Sequence, residues 1–264
     1  MNRIDRAFKG PGPGRRKAFI AYITAGDPDL KTTARLVPAL ERAGADIIEL
    51  GVPFSDPIAD GPTIQAASQR ALAAGATVGG IFRMVGRLRK KTGIPLVLMT
   101  YYNPVLRYGL NRFFGSCRRC GVDGVIVPDL PVEESAGLVA AARPAGVATI
   151  FLAAPTSTPD RISKIAARSR GFIYYVSLTG VTGAKKSIPP GVGANLRRIR
   201  SATAKPVAVG FGVSSPRQAA TLARLADGVI VGSAIVKIIS GRKDAVKRAA
   251  RFAGGIARAV HGVR

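Results

Sequence analysis

Asp46-Ile47-Ile48-Glu49-Leu50-Gly51-Val52-Pro53-Phe54-Ser55-Asp56-Pro57-Ile58-Ala59-Asp60-Gly61 is an apolar strand that runs into a carboxylate-bearing loop, and the unit it opens recurs along the chain. Side chains alternate between the two faces of a strand, so Glu49 points the same way as Ile47 and Gly51. A carboxylate on an apolar face costs desolvation unless something binds it. Pro53, Ser55, Pro57 and Gly61 make the following loop rich in turns, which brings Asp60 back over the strand end. Glu49 and Asp60 therefore form a candidate catalytic pair. A simpler account has Glu49 meeting solvent at the strand end and the aspartates capping a turn.

Seven further apolar, β-branched runs accompany this one. The eight cover 18–24, 46–51, 95–100, 123–128, 147–152, 171–177, 206–211 and 227–233, with helical segments between them. Repeated strand–helix units build a parallel sheet, and eight of them within ~250 residues are what a (β/α)₈ barrel requires. Amphipathic stretches at 32–43, 80–91, 133–143, 160–168, 192–203, 216–225 and 244–260 are the expected crossover helices. Val122-Asp123-Gly124-Val125-Ile126-Val127 is echoed by Ala226-Asp227-Gly228-Val229-Ile230-Val231, a local internal repeat. The expectation is an α/β fold, a single TIM-barrel domain over 1–264, with an extra N-terminal helix at 2–9 and an additional loop helix at 64–74.

The 264 residues suffice for a large core, and 47% hydrophobic residues with 31 glycines describe a globular chain. No apolar segment followed by a small-residue cleavage site opens the sequence, and the longest uncharged run, 144–159, is too short and polar to span a bilayer. Two cysteines, Cys117 and Cys120, give no disulfide framework and fit a reducing cytoplasm. The formal charge of +25 invites a nucleic-acid reading, but 19 of the 40 basic residues fall in 1–132 and 21 in 133–264. They are dispersed, without interleaved aromatics, so no dedicated nucleic-acid site is expected. The charge fits attraction of an anionic substrate or an acidic partner, with solvated surface as the default.

Barrel sites form at the C-terminal ends of the strands, and phosphate commonly sits on the loops after the seventh and eighth. Gly212 follows the seventh run, and Gly232 and Ser233 follow the eighth and lead into a short helix at 235–239. Small residues there let backbone amides approach an anion. The loop 178–191 after the sixth run is long, polar and glycine-rich and reads as a lid, with Gly183 on phosphate and Thr182 closing over substrate. No apolar strand run contains a lysine for a Schiff base, and the single histidine, His261, stands three residues from the C-terminus. Cys117-Arg118-Arg119-Cys120 lacks a second ligand pair, so no metal site is expected.

The segment 48–61, Ala18-Phe19-Ile20-Ala21-Tyr22-Ile23-Thr24-Ala25-Gly26-Asp27-Pro28, Met99-Thr100-Tyr101-Tyr102-Asn103-Pro104, Pro128-Asp129-Leu130-Pro131-Val132-Glu133-Glu134, and 175–183, 210–213 and 232–237 form an ordered set along the chain. By that set the whole chain resembles the tryptophan synthase alpha subunit family. The resemblance implies retro-aldol cleavage of indole-3-glycerol phosphate to indole and glyceraldehyde 3-phosphate, with no cofactor in this chain. By resemblance Glu49 is the general acid/base at indole C3 and Asp60 binds the indole N–H. Tyr175 lies near Glu49 and substrate, Thr182 orients Asp60, Gly183, Gly212, Gly232 and Ser233 contact phosphate, and Tyr22, Thr100, Tyr102 and Asp129 belong to the pocket. The family also implies a beta subunit that carries pyridoxal phosphate and receives indole in an αββα heterotetramer, facing the loops 53–62, 102–109 and 128–134. Ala21, where the family has proline, and the basic balance are departures that leave the catalytic residues in place. A standalone indole-3-glycerol-phosphate lyase would use the same residues, and a non-catalytic basic nucleic-acid-binding protein is the alternative from another class.

Overall fold

A computed structural model describes residues 2–9, 16–176, 191–210, 212–240 and 244–263. Its strands are β1 (Ala18–Thr24), β2 (Ile47–Gly51), β3 (Leu96–Met99), β4 (Gly124–Ile126), β5 (Ala148–Ile150), β6 (Leu152–Ala153), β7 (Ile173–Val176), β8 (Val207–Gly210) and β9 (Gly228–Val231). All pair in parallel, in the order β5-β4-β3-β2-β1-β9-β8-β7-β6. Each expected run contains one strand except 147–152, where Phe151 divides β5 from β6. β5 pairs with β4 and β6 with β7, while the Phe151 carbonyl accepts the Tyr174 amide at 3.0 Å, so the ladder continues around the barrel.

Strand alternation sorts the core into an outer layer and an axis. Phe19, Ala21, Ile48, Leu50 and Leu98 pack outward against the helices, whereas Ile20, Ile47, Val97, Ile126 and Ile230 face the axis. The short N-terminal helix Arg3–Ala7 closes the floor, with Ile4 and Phe8 buried among the axis residues. Glycines make room for them: a Cβ at Gly124 or Gly171 would stand 2.9 Å from Ile4. The crossover helices begin where the sequence supplies caps. Asp29, Thr77, Thr158 and Ser215 each accept a first-turn amide, and Pro62, Pro159 and Pro216 open their helices without an amide to satisfy.

The internal echo has a structural basis at this same rim. Asp46, Asp123 and Asp227 stand just before β2, β4 and β9, and in each one carboxylate oxygen accepts an amide from the first two residues of the preceding strand: Phe19 at 2.7 Å, Leu96 at 2.9 Å and Val207 at 2.9 Å. Each is also paired outward. Asp46 meets Arg16 and His261, Asp123 meets Arg3 and Arg89, and Asp227 meets Arg200. His261 thus fastens the end of the helix Ala245–His261 to the barrel at 2.7 Å.

Two helices depart from the sequence reading. The segment 102–109, expected as a loop, is the helix Tyr102–Tyr108 followed by Gly109, and a second helix, Leu110–Cys120, completes the third crossover. Within 128–134 a 3₁₀ turn forms at Val132–Glu134. Among the described residues no helix is long and apolar enough to cross a membrane.

Candidate active site

At the C-terminal ends of the strands a cavity of about 680 Å³ opens into the barrel, and Glu49 on β2 lies in its wall. Glu49 is completely buried and neither carboxylate oxygen has a hydrogen-bond partner. Burial first, and the nearby Asp60 second, push its carboxyl up to about 8, so it holds its proton at neutral pH. Asp60 comes from the loop after β2 and is also raised by burial, an effect opposed by the Tyr101 hydroxyl, which donates to its Oδ2 at 2.9 Å. The same hydroxyl accepts the Ala59 amide at 3.0 Å, and the Tyr101 ring packs 5.2 Å from that of Phe54. One phenol therefore anchors both the loop and its carboxylate.

Two further phenols fill the axis beside Glu49. Tyr22 on β1 and Tyr174 on β7 line the cavity, and burial holds both well above the usual phenol range, so they remain neutral. They fit because strand ends carry glycine: a Cβ at Gly51 would overlap the Tyr22 hydroxyl, one at Gly210 the Tyr174 hydroxyl, and one at Gly232 would press the Tyr22 ring at 3.2 Å. Gly212, Gly232 and Ser233 line the same cavity, and Ser233 opens the helix Ser233–Ile239 with Gly232 as its cap.

The sequence reading meets this geometry unevenly. Glu49, Asp60, Tyr22, Asp129, Gly212, Gly232 and Ser233 are brought together around the cavity. Tyr175 is not. It faces the helix layer, where its hydroxyl accepts from Asn195 Nδ2 at 3.1 Å, because β7 pairs Tyr174, not Tyr175, with the axis-facing Ala208. The position expected of Tyr175 is occupied by Tyr174. Thr100 is buried with its hydroxyl donating to the Tyr101 carbonyl at 3.3 Å, and Tyr102 sends its amide to both oxygens of Asp129 at 3.0 and 3.1 Å; neither lines the cavity. Of the lid expected over 178–191, Thr182, Gly183 and all else but Gly191 lie outside the described residues. Cys117 and Cys120 sit at the end of a helix with both thiols pushed up by burial, the opposite of a reactive pair.

The match to known proteins decides the family. A family model described as tryptophan synthase alpha chain covers residues 12–261. The chain belongs to the tryptophan synthase alpha chain family. The tryptophan synthase alpha chain of Geobacter sulfurreducens is 55% identical over 238 residues, and that of Geotalea daltonii 53% over 237, each alignment covering 90% of both chains. Among solved structures, the tryptophan synthase alpha subunit of Legionella pneumophila superposes with a TM-score of 0.91 at 36% identity over 100% of both chains. A chain of the Pyrococcus furiosus structure titled for mutual activation of the tryptophan synthase α2β2 complex reaches 0.85 at 43% identity, covering 94% of this chain and 99% of that one. The chain is accordingly a carbon–carbon lyase of tryptophan biosynthesis, from a family whose alpha chain works without a cofactor.

Proposed function

We propose that this chain cleaves indole-3-glycerol phosphate to indole and glyceraldehyde 3-phosphate with Glu49 as the proton-transfer group and Asp60 as its electrostatic partner. The observation that carries the reading is Glu49 itself, fully buried in the cavity wall with both oxygens unbonded and its carboxyl held neutral. Glu49 gives its proton to indole C3, which leaves positive charge on the ring nitrogen. Ionised Asp60, steadied by Tyr101, accepts the indole N–H and stabilises that charge. Glu49, now a carboxylate, takes the proton of the side-chain hydroxyl; the carbonyl of the aldehyde forms, the bond to C3 breaks, and its electrons restore the indole ring. Tyr22 and Tyr174 exclude water and flank the ring, while backbone amides around Gly212, Gly232 and Ser233, together with Gly183, receive the phosphate. Indole release by the purified chain tests the assignment. Glu49→Gln and Asp60→Asn are each expected to lose ~10²–10⁴-fold in kcat, and a variant that keeps its rate removes that residue from the scheme.

The family relation and the Pyrococcus furiosus complex support a second element of the reading, a tryptophan synthase beta subunit that takes up the indole, carries the pyridoxal phosphate and completes an αββα assembly. Exposed apolar residues at the cavity end, Ile58 and Leu106, fall within 53–62 and 102–109, the segments assigned to that interface. The working compartment is the cytoplasm, and 1–264 acts as one domain. Co-elution with a beta subunit on size exclusion, with cleavage accelerated in the complex, is expected. Full-rate cleavage without a partner, and no co-elution, would instead identify a standalone lyase.

A further inference from the structure

A larger cavity, about 1380 Å³, lies at the opposite end of the barrel, between the N-terminal helix and the turns that lead into β4, β5, β7 and β8. Its wall carries six cations, Arg3, Arg6, Lys9, Arg118, Arg170 and Lys205, against two carboxylates. Among the described residues the wall of the catalytic cavity carries Asp60, Asp129 and the neutral Glu49 against Arg161. Cations spread evenly along the sequence do not by themselves give the two ends of one barrel opposite local charge; the fold concentrates them at the floor.

Of these six, Arg3 is paired with Asp123, and the other five have no carboxylate partner among the described residues. Asp123 is engaged by Arg3, Arg89 and the Leu96 amide, and Asp5 by the Asn2 amide at 3.2 Å. Arg118 and Lys205 donate only to the backbone carbonyls of Pro144 and Ala166, which carry no charge. Arg6, Lys9 and Arg170 make no side-chain hydrogen bond or ion pair among the described residues. The Lys205 ammonium is pushed down by burial and then by Arg170, the behaviour of like charges gathered without a counterion. Arg6 and Lys9 come from the N-terminal segment, and Arg170 from the turn before β7.

The geometry points to a binding site on the barrel floor for a small multivalent phosphate anion of the di- or triphosphate class. Several oxygens on one ligand satisfy separate cations from different walls, which a single-charge ion does not. The recess, about 1380 Å³, admits such a compact ligand. Bridging Arg6 and Lys9 to Arg170 would clamp the helix carrying Ile4 and Phe8 into the floor, so occupancy stabilises the folded chain.

The test is calorimetric titration of inorganic triphosphate into the full chain at physiological salt, with glycerol 3-phosphate present to occupy the catalytic phosphate cradle. Saturable binding at one site and a raised Tm are expected. The triple substitution Arg6→Gln, Lys9→Gln, Arg170→Gln should weaken binding by at least ~10-fold, and the charge-matched surface triple Arg217→Gln, Arg224→Gln, Lys247→Gln by less than ~2-fold. Equal weakening in the two triples, or heat that never saturates, would overturn the site in favour of a diffuse field. Tighter binding of duplex DNA that depends on the same three residues would overturn it in favour of a macromolecular ligand.

Discussion

Glu49 survives burial because it is neutral. Its carboxyl titrates at about 8 in the fold against 4.5 as the ordinary value, so between those pH values the native state holds a proton that the unfolded chain has released. Stability from this group therefore falls as pH rises through that window, by about 1.4 kcal/mol for each step of one in pH. Glu49→Gln lacks the titration and is expected to be more stable than the wild type at pH 8.5, with the gap closing toward pH 4.5, as measured by denaturant unfolding across pH. The same protonation governs activity. The acid form of Glu49 is required at the start and ionised Asp60 beside it, so kcat/KM should be bell-shaped, its alkaline limb near 8 and its acid limb above the ordinary carboxylate range. A profile flat from pH 6 to 9 would contradict this. Gly51 offers a third readout at this scale, since its missing Cβ is the space filled by the Tyr22 hydroxyl. Gly51→Ala should displace Tyr22, costing ~1–3 kcal/mol of stability and raising KM for indole-3-glycerol phosphate, checked by unfolding and steady-state kinetics.

At the scale of elements, side chains that bond across the barrel set where strands and loops stop. Asp123 joins β3 to β4 through the Leu96 amide while neutralising Arg89, which is largely buried. Asp123→Ala would strand that amide and that guanidinium together, and a loss of ~3–5 kcal/mol in denaturant unfolding is expected. At the other rim Tyr101 anchors the loop after β2. Tyr101→Phe removes both the donor to Asp60 and the acceptor of the Ala59 amide, and should lower kcat/KM by ~10–100-fold while leaving thermal stability within a few degrees. The helix Tyr102–Tyr108 shows why this scale was partly hidden from the sequence. Asn103-Pro104 and Gly109 read as loop signals, yet proline is tolerated in a first helical turn, and the cap comes from Asp129, distant in the sequence.

Across the described residues, the barrel separates a catalytic mouth that carries Asp60 and Asp129 from a basic floor. The mouth also exposes Leu106 to nearly half its area, on the helix beside the pocket rather than in its wall. Leu106→Asp is expected to weaken association with a beta subunit by ~10-fold or more while the isolated chain cleaves at an unchanged rate, measured by calorimetry and indole release. The sequence by itself determined the repeated strand–helix order, the face that Glu49 takes relative to Ile47, and the glycines at the strand ends, because strand periodicity and backbone sterics are local properties. It did not determine which of Tyr174 and Tyr175 enters the barrel. Both faces of β7 are apolar, so only pairing with Ala208 on the neighbouring strand fixes the phase. Nor did it reveal the break at Phe151, the Tyr101 anchor, or the concentration of charge at the floor. Those depend on groups brought together from distant parts of the chain, and only closure of the barrel sets their distances.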